Sequence, residues 1–450
     1  MWNIGLDFGT AFTKCVVRDL GANQAFVVPM AGEQLLLLSE VFVGTSRIGL
    51  FGESMTEDRP FRVQNLKMTL AETASGQTAG VWAAEFRRLR EHHPDAVFAT
   101  NPGLLTVYFL ARAIQKAKAF ILTKTPDFDE SRGDRYFINM AVPVAHAEES
   151  AIAAAFDKCL RQAWLLAREA SLSDWDQTRV HAALASLSAV AQDDLPCYIY
   201  PEVSANVQSY VKSRAGVDGL YLFVDVGAGT VDLSIFIYYT HPSNDRPISY
   251  VSAGVIPLGS SQIEIRAARS LADNDLRQVQ LQELIRRAKE GDRIDLALHH
   301  AMKTAEESIE IELLDHAARV LQGGRMKLTQ DTDGRRRKAG ADQWKTLNLL
   351  LGGGGAKTRL YPDVINKWFK QCNQFEPGRK PIPLPEDLKW PTSLPARKQA
   401  EEFTRFTVAY GLSFDRANLE DHRFPKEVKP LTGGIEASTI RPHAPSKDEC

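Results

Sequence analysis

Cysteine is scarce and unpatterned in this chain. Its five cysteines, Cys15, Cys159, Cys197, Cys372 and Cys450, are odd in number, scattered, and never arranged as C-x-x-C. A disulfide framework or a zinc site is therefore not expected, and a reducing compartment is. Long apolar runs are missing too. The most apolar segments, Leu35–Leu38 and Leu233–Tyr239, fall far short of the ~18–20 residues that a membrane helix needs. The opening Met-Trp-Asn-Ile-Gly-Leu-Asp has no basic stretch leading into an apolar one, so no secretory signal is expected. An excess of one charge sign is also lacking. The 54 basic residues nearly balance 56 acidic ones, for a formal net charge of −2. That balance gives no electrostatic argument for nucleic acid or an anionic membrane. Together these absences predict a cytoplasmic protein.

What remains is an ordinary globular composition, 44% hydrophobic and 24% charged over 450 residues. At ~100–200 residues per domain, that length implies two to four lobes. Ile4–Asp7 and Cys15–Arg18 read as short strands around a Gly-Thr turn, and Gln34–Gly52 as further strands. Apolar spacing predicts helices over Val81–His92 and Leu104–Thr123. Tyr136–Val144 reads as a buried strand running into Pro143, and Glu148–Arg168 as an Ala- and Leu-rich helix. Later, Tyr221–Asp225 and Val231–Tyr239 read as strands around a glycine-rich turn. Gln262–Leu271, Leu276–Lys289, Asp295–Leu321 and Ala400–Leu412 read as helices. Thr329–Ala341, with its basic run Arg335–Lys338, and Glu376–Pro395, with six prolines, read as solvated loops. Such proline density forbids a continuous helix or central strand. Residues 421–450 read as a tail.

One pattern occurs twice. Ile4-Gly-Leu-Asp7-Phe-Gly9-Thr10 and Leu222-Phe-Val-Asp225-Val-Gly227-Ala-Gly229-Thr230 each run from an apolar strand to Asp, then x-Gly, then Thr. A β-type run follows each turn, and the aspartates are 218 positions apart (225 minus 7). The pattern suits polyphosphate. Glycines without Cβ let turn N–H groups approach phosphate oxygens, and threonine hydroxyls add donors. Aspartates beside phosphate would act through a hydrated Mg²⁺. A dinucleotide fingerprint needs a third glycine and a following helix, but Gly227-Ala-Gly229-Thr-Val-Asp232 leads into a strand. A Walker loop needs two glycines that Leu351 and Ala356 replace before Lys357-Thr358.

At these residues the chain resembles the actin and seventy-kilodalton heat-shock chaperone ATPase superfamily. Ile4–Thr13 is similar to its first phosphate motif and Phe223–Asp232 to its second. Phe137–Val144 resembles the chaperones' first connecting motif, and Glu202–Tyr210 their Glu-Pro-Thr-Ala-Ala-Ala-Leu-Ala-Tyr segment. Leu349–Gly355 resembles the adenosine motif, and Phe406–Ser413 the closing helix. The six motifs stand in the family's order between residues 4 and 413.

The resemblance implies an α/β protein of two actin-like, ribonuclease-H-like lobes with mixed sheets flanked by helices and ATP or ADP with Mg²⁺ in the cleft. Lobe I would comprise residues 1–205, with an outer subdomain at about 35–130 and the closing helix returning at 400–420. Lobe II would comprise 206–399, with insertions at 329–341 and 376–395. Asp7, Asp225 and Glu202 would hold the metal through its waters, and Glu202 could instead hold the attacking water. Gly9, Thr10, Gly229 and Thr230 would contact phosphates, with Ala11, Phe12, Gly227 and Ala228 completing the two turns of the nucleotide site. Asp232 would support the second hairpin, and Gly353 and Gly354 would let adenosine approach the backbone. The phosphate lysine is either Lys14, placed as in actins, or Lys67, placed as in chaperones. Gly259, Glu307 and Arg359 also fall in the nucleotide site, as departures from the pattern. Glu307 stands where chaperones carry a basic residue, Arg359 is shifted past the glycine run, and Gly259-Ser-Ser-Gln262 only partly matches a Gly-Gly-Glu-Asp segment.

After Ser413 only 37 residues remain (450 minus 413), too few for the chaperone peptide-binding domain. The nearest likeness is thus a bacterial chaperone-like ATPase domain without that module. The expected function is a slow Mg²⁺-dependent ATPase switch whose lobe closure controls a protein partner, as a monomer or in complex with it. The alternative is an ATP-dependent actin-like filament. Neither nucleic acid nor membrane is an expected partner.

Overall fold

A computed structural model describes residues 1–44, 46–50, 61–77, 101–187, 194–213, 216–239, 248–272, 296–330, 338–373, 375–419 and 421–427, with single positions between 53 and 91 and between 277 and 284. The expected helices at 81–92 and 276–289, the centre of the basic loop at 331–337, and the tail beyond 427 lie largely or wholly outside the described residues.

The chain is a mixed α/β protein. β1 (Trp2–Phe8) and β2 (Phe12–Asp19) form an antiparallel hairpin that sets Asp7 opposite Lys14. β3 (Gln24–Val27) pairs antiparallel with β2, and β4 (Leu37–Leu38) adds to the far end of β2. A small antiparallel sheet follows: β5 (Val41–Val43), β6 (Ile48–Gly49) and β7 (Phe61–Val63). β8 (Tyr136–Val142) then lies parallel to β1, and β9 (Cys197–Pro201) parallel to β8.

The second half repeats this plan. β10 (Gly219–Val226), β11 (Val231–Tyr238) and β12 (Ile248–Ile256) form an antiparallel meander. β13 (Asn348–Gly352) lies parallel to β10, and β14 (Gly378–Lys380) parallel to β13. β15 (Leu388–Lys389) returns to the first sheet beside β3, and β16 (His422–Arg423) lies beside β12. The two sheets therefore have matching strand orders, β15-β3-β2-β1-β8-β9 and β16-β12-β11-β10-β13-β14, with matching directions.

Alternation decides which side chains face which layer. In β1, Ile4, Leu6 and Phe8 enter the large core beneath helices Pro102–Lys124 and Ser150–Leu166, leaving Asn3, Gly5 and Asp7 on the other face. In β10, Leu222, Val224 and Val226 enter a core with helices Ser261–Leu271, Leu296–Thr329 and Leu360–Asn373, leaving Asp225 opposite. Helix Pro102–Lys124 starts where the sequence predicts a start: Asn101 Oδ1 accepts from the N–H groups of Gly103 and Leu104, with Pro102 in the first turn.

Helix Thr407–Leu412 packs on the free face of β1 and against helix Glu202–Asn206. The contacts are backbone-close. A Cβ at Gly5 would meet the Ala409 carbonyl at 2.2 Å, and one at Gly411 the Ala205 carbonyl at 1.8 Å. Asn3 Nδ2 donates to the carbonyls of Leu412 and Ser413, and Asn139 Nδ2 to that of Leu412, satisfying a helix end that water cannot reach.

Three expectations change. The helix expected over Ala400–Leu412 breaks into Ala396–Phe403 and Thr407–Leu412, which lets Phe403 and Phe406 both enter one aromatic cluster with Trp390 and Tyr410. The proline-rich segment is not only a solvated loop. It supplies edge strands to both sheets, where a missing N–H is tolerated, and Asp387 accepts from Arg18 Nη1 at 2.6 Å and from the Tyr410 hydroxyl at 2.8 Å. Finally, the start of the expected tail pairs with β12 through His422 and Arg423.

Candidate functional site

The two hairpins meet at their turns. A Cβ at Gly229 would lie 2.7 Å from the Thr10 methyl, so only glycine lets the turns approach this closely. Within the second turn the Gly227 N–H donates to the Thr230 carbonyl at 2.9 Å. Behind it, the N–H groups of Gly259, Ser260 and Ser261 donate to the carbonyls of Gly229, Gly227 and Ala228. A Cβ at Gly259 would strike the Ala228 carbonyl at 2.4 Å. Gly259 thus buttresses the second turn from behind.

Charged groups gather where the hairpins meet. Asp7 Oδ2 accepts from Lys14 Nζ at 2.7 Å. Lys67, on helix Leu66–Ala74, reaches Glu202 Oε2 at 3.4 Å. Glu202 opens the short helix after β9. Asp225 Oδ2 accepts from Asn206 Nδ2 at 3.4 Å, and Asp232 Oδ2 from the Thr230 hydroxyl at 3.4 Å. Gly353, at φ 81°, has its α-carbon against Asp225: a Cβ there would fall 2.2 Å from Oδ1. Asp7, Lys67, Glu202, Asp225 and Asp232 are all buried.

The electrostatics are lopsided. Four carboxyl groups (Asp7, Glu202, Asp225, Asp232) face two ammonium groups (Lys14, Lys67), a surplus of two carboxyls. Burial, then Glu202 and Asp7, pushes the Asp225 carboxyl up to about 7. Burial, then Glu202 and Asp225, raises Asp232 well above the usual carboxylate range. Burial raises Glu202, against the opposing pull of Lys67. Burial alone would depress Lys67, but Glu202, Asp7, Asp232 and Asp225 outweigh it and raise its pKa. On the far side of Lys67, burial and that ammonium push the His146 imidazole down to about 4, so it is neutral at pH 7. The outer oxygens Asp7 Oδ1 and Asp232 Oδ1 are buried without a hydrogen-bond partner.

These groups line one cleft of about 1310 Å³, larger than the ~300–1,000 Å³ of ordinary small-molecule sites. The first hairpin contributes Asp7, Gly9, Thr10, Ala11, Phe12 and Lys14 to its wall. The second contributes Asp225, Gly227, Ala228, Thr230 and Asp232. Lys67, Glu202, Gly353 and Gly354 complete the expected set, and both candidate lysines are present. Gly229 and Gly259 support the turns without lining the cleft. Glu307 and Arg359 are exposed and do not line it. On helix Leu296–Thr329 the buried stripe runs through Ala301, Ala305 and Ile309, so the helix phase turns Glu307 to solvent and brings Met302 and Glu306 to the cleft. The phase of that stripe was a readable signal for both. Arg405, also in the wall, had no such signal, because it sits in the break of a segment read as one helix.

No protein-family model matches the chain, and no curated protein matches it in sequence.

Proposed function

We propose that this chain is a magnesium-dependent ATP-binding and ATP-hydrolysing switch of the actin and heat-shock-chaperone superfamily, its two sheets forming lobes that close on the nucleotide and control a protein partner. One observation carries this reading. Two sheets of matching strand order present two matching Asp-x-Gly hairpins, turn against turn, at the floor of one large cleft. A triphosphate between the turns would meet backbone N–H groups and threonine hydroxyls from both sides.

The site fits a divalent cation. Its surplus of two carboxyl groups over ammonium groups and the unpartnered oxygens of Asp7 and Asp232 ask for positive charge. Among the described residues no three His, Cys, Asp or Glu side chains converge closely enough to ligate a metal directly. Asp7, Asp225 and Glu202 would therefore hold Mg²⁺ through its water shell, as suits a small, strongly hydrated ion. Bound there, the ion would neutralise phosphate charge. The chain's own contribution is positioning: the turns fix the phosphates, and Glu202, held by Lys67, orients a water for attack on the terminal phosphorus.

The test is Mg²⁺-dependent ATP binding and hydrolysis by wild type, Asp7→Ala, Asp225→Ala and Glu202→Ala. Both aspartate variants should lose on the order of a hundredfold or more in hydrolysis, with weakened binding; Glu202→Ala should lose hydrolysis more than binding. Equal hydrolysis by all four proteins sinks the assignment. Sedimentation with and without ATP separates a switch from a filament.

A further inference from the structure

We propose that Arg405 is a phosphate-binding residue that the closing segment carries from the first-sheet side of the cleft onto the polyphosphate, an inference that rests on the nucleotide reading above. Arg405 occupies the break between helices Ala396–Phe403 and Thr407–Leu412. Its backbone is fixed. The Arg405 N–H donates to the Glu402 carbonyl at 2.9 Å, and Phe403 and Phe406 on either side are fully buried. With Phe403 and Phe406 anchored in the core, the two residues between them, Thr404 and Arg405, line the cleft.

It projects toward the right end of the cleft. A Cβ built on Gly354 would lie 3.7 Å from Arg405 Nε and 3.9 Å from its Cγ, so the side chain spans from one side of the cleft to the other. The preceding residue, Gly353, is the one packed on the Asp225 carboxylate. Neighbouring residues of one glycine run thus meet Arg405 and the metal-side carboxylate.

Three other cations that line the cleft are already committed. Lys14 is held by Asp7 at 2.7 Å, Lys67 by Glu202 at 3.4 Å, and Arg62 by Glu40 at 2.7 Å. All three of those carboxylates are buried. Among the described residues Arg405 pairs with Glu402, three residues back at 3.5 Å and partly exposed. Such a pair is weak and easily exchanged. A cluster whose carboxylates outnumber its ammonium groups by two is brought only to balance by one divalent ion and then offers phosphate no net attraction. The attraction must then come from outside the cluster. Arg405 can supply it, and its planar fork matches two phosphate oxygens at once. Because the residue belongs to one side and the glycine run to the other, its contact would also tie nucleotide binding to lobe closure.

The experiment is calorimetric titration of ATP, ADP and AMP, each with Mg²⁺, into wild type, Arg405→Ala, Arg405→Lys and Asp225→Ala, with circular dichroism to check folding. Arg405→Ala should bind ATP roughly tenfold to a hundredfold more weakly, the scale of a charged hydrogen bond, with AMP affinity unchanged within about twofold. Arg405→Lys should restore part of the loss. If ATP affinity moves less than about twofold, or AMP weakens as much as ATP, the inference fails. Loss of ATP binding in Asp225→Ala but not in Arg405→Ala overturns Arg405 alone. If wild type binds no nucleotide, the reading of the cleft falls with it.

Discussion

The two hairpins share a backbone pattern and differ in charge. At the first, Asp7 is matched by Lys14 at 2.7 Å, and the pair spans neighbouring strands of one hairpin. At the second, among the described residues, Asp225 contacts the Asn206 amide at 3.4 Å and the Gly353 α-carbon, and Asp232 a threonine hydroxyl, with Lys14 and Lys67 acting on Asp225 without pairing with it. Two copies of one motif thus build one balanced and one unbalanced half. A balanced carboxylate stabilises the free protein. An unbalanced one stores repulsion that a cation would relieve, which places ligand dependence on the second hairpin.

Substituting each aspartate by asparagine separates the halves most strongly. Asp7→Asn strands Lys14, whose side chain is 18% exposed, and should destabilise the ligand-free protein by about 1–2 kcal/mol, less than for a fully buried pair. Asp225→Asn removes an uncompensated buried carboxylate and keeps the shape. It should raise ligand-free stability at pH 8 by about 1–3 kcal/mol. Urea unfolding without nucleotide measures both. Destabilisation of similar size by both variants would erase the distinction.

The common part of the hairpins was legible in the sequence, since strand, Asp, Gly and Thr all lie within a few residues. The glycines could be read as sites of close approach, but not what approaches. Gly353 was expected to admit adenosine, and the contact of its α-carbon with Asp225 was not foreseen. The unequal charge was not legible. It depends on Asn206, Lys67 and Glu202 converging from segments far apart in the chain. Helix phase separates Glu306, in the cleft, from Glu307, outside it, yet alignment to a motif selected Glu307. The edge strands in the proline-rich segment were missed because two- and three-residue strands have no periodicity to read.

A smaller effect sharpens the comparison through coupling. Gly353→Ala puts a methyl on Asp225 Oδ1 at a positive φ, at a cost of roughly 1–3 kcal/mol. Part of that cost should vanish in an Asp225→Ala background, where the clashing oxygen is gone, but the φ strain remains. Gly9→Ala meets the Phe12 carbonyl of its own turn, so its cost should be independent of Asp7. Double-mutant cycles read this directly. Additivity at Gly353 and Asp225 within about 0.3 kcal/mol would mean the packing is not as described.

The smallest effect is in pH. Asp225 is raised in the folded state to about 7 from an ordinary value of 3.8. Between those values the folded protein binds more protons at this site than the unfolded chain does. Stability from this group is therefore greatest in acid and falls as pH rises toward 7, the reverse of a salt-bridged carboxylate. From pH 6 to pH 8 the ligand-free protein should lose about 1 kcal/mol on this account. Asp232, also raised, adds in the same direction. His146, depressed to about 4 from an ordinary 6.5, acts oppositely and returns somewhat under ~1 kcal/mol over the same interval, so the difference between wild type and Asp225→Asn, not the wild-type slope alone, reads Asp225. Asp225→Asn should flatten the slope between pH 6 and 8, and Asp7→Asn should leave it in place. Saturating Mg²⁺ and ATP should also flatten it, because a bound cation favours the ionised carboxylates over that whole range. A slope between pH 6 and 8 that Asp225→Asn leaves unchanged would mean that Asp225 is already compensated, and the two hairpins would then be alike in charge as well as in shape.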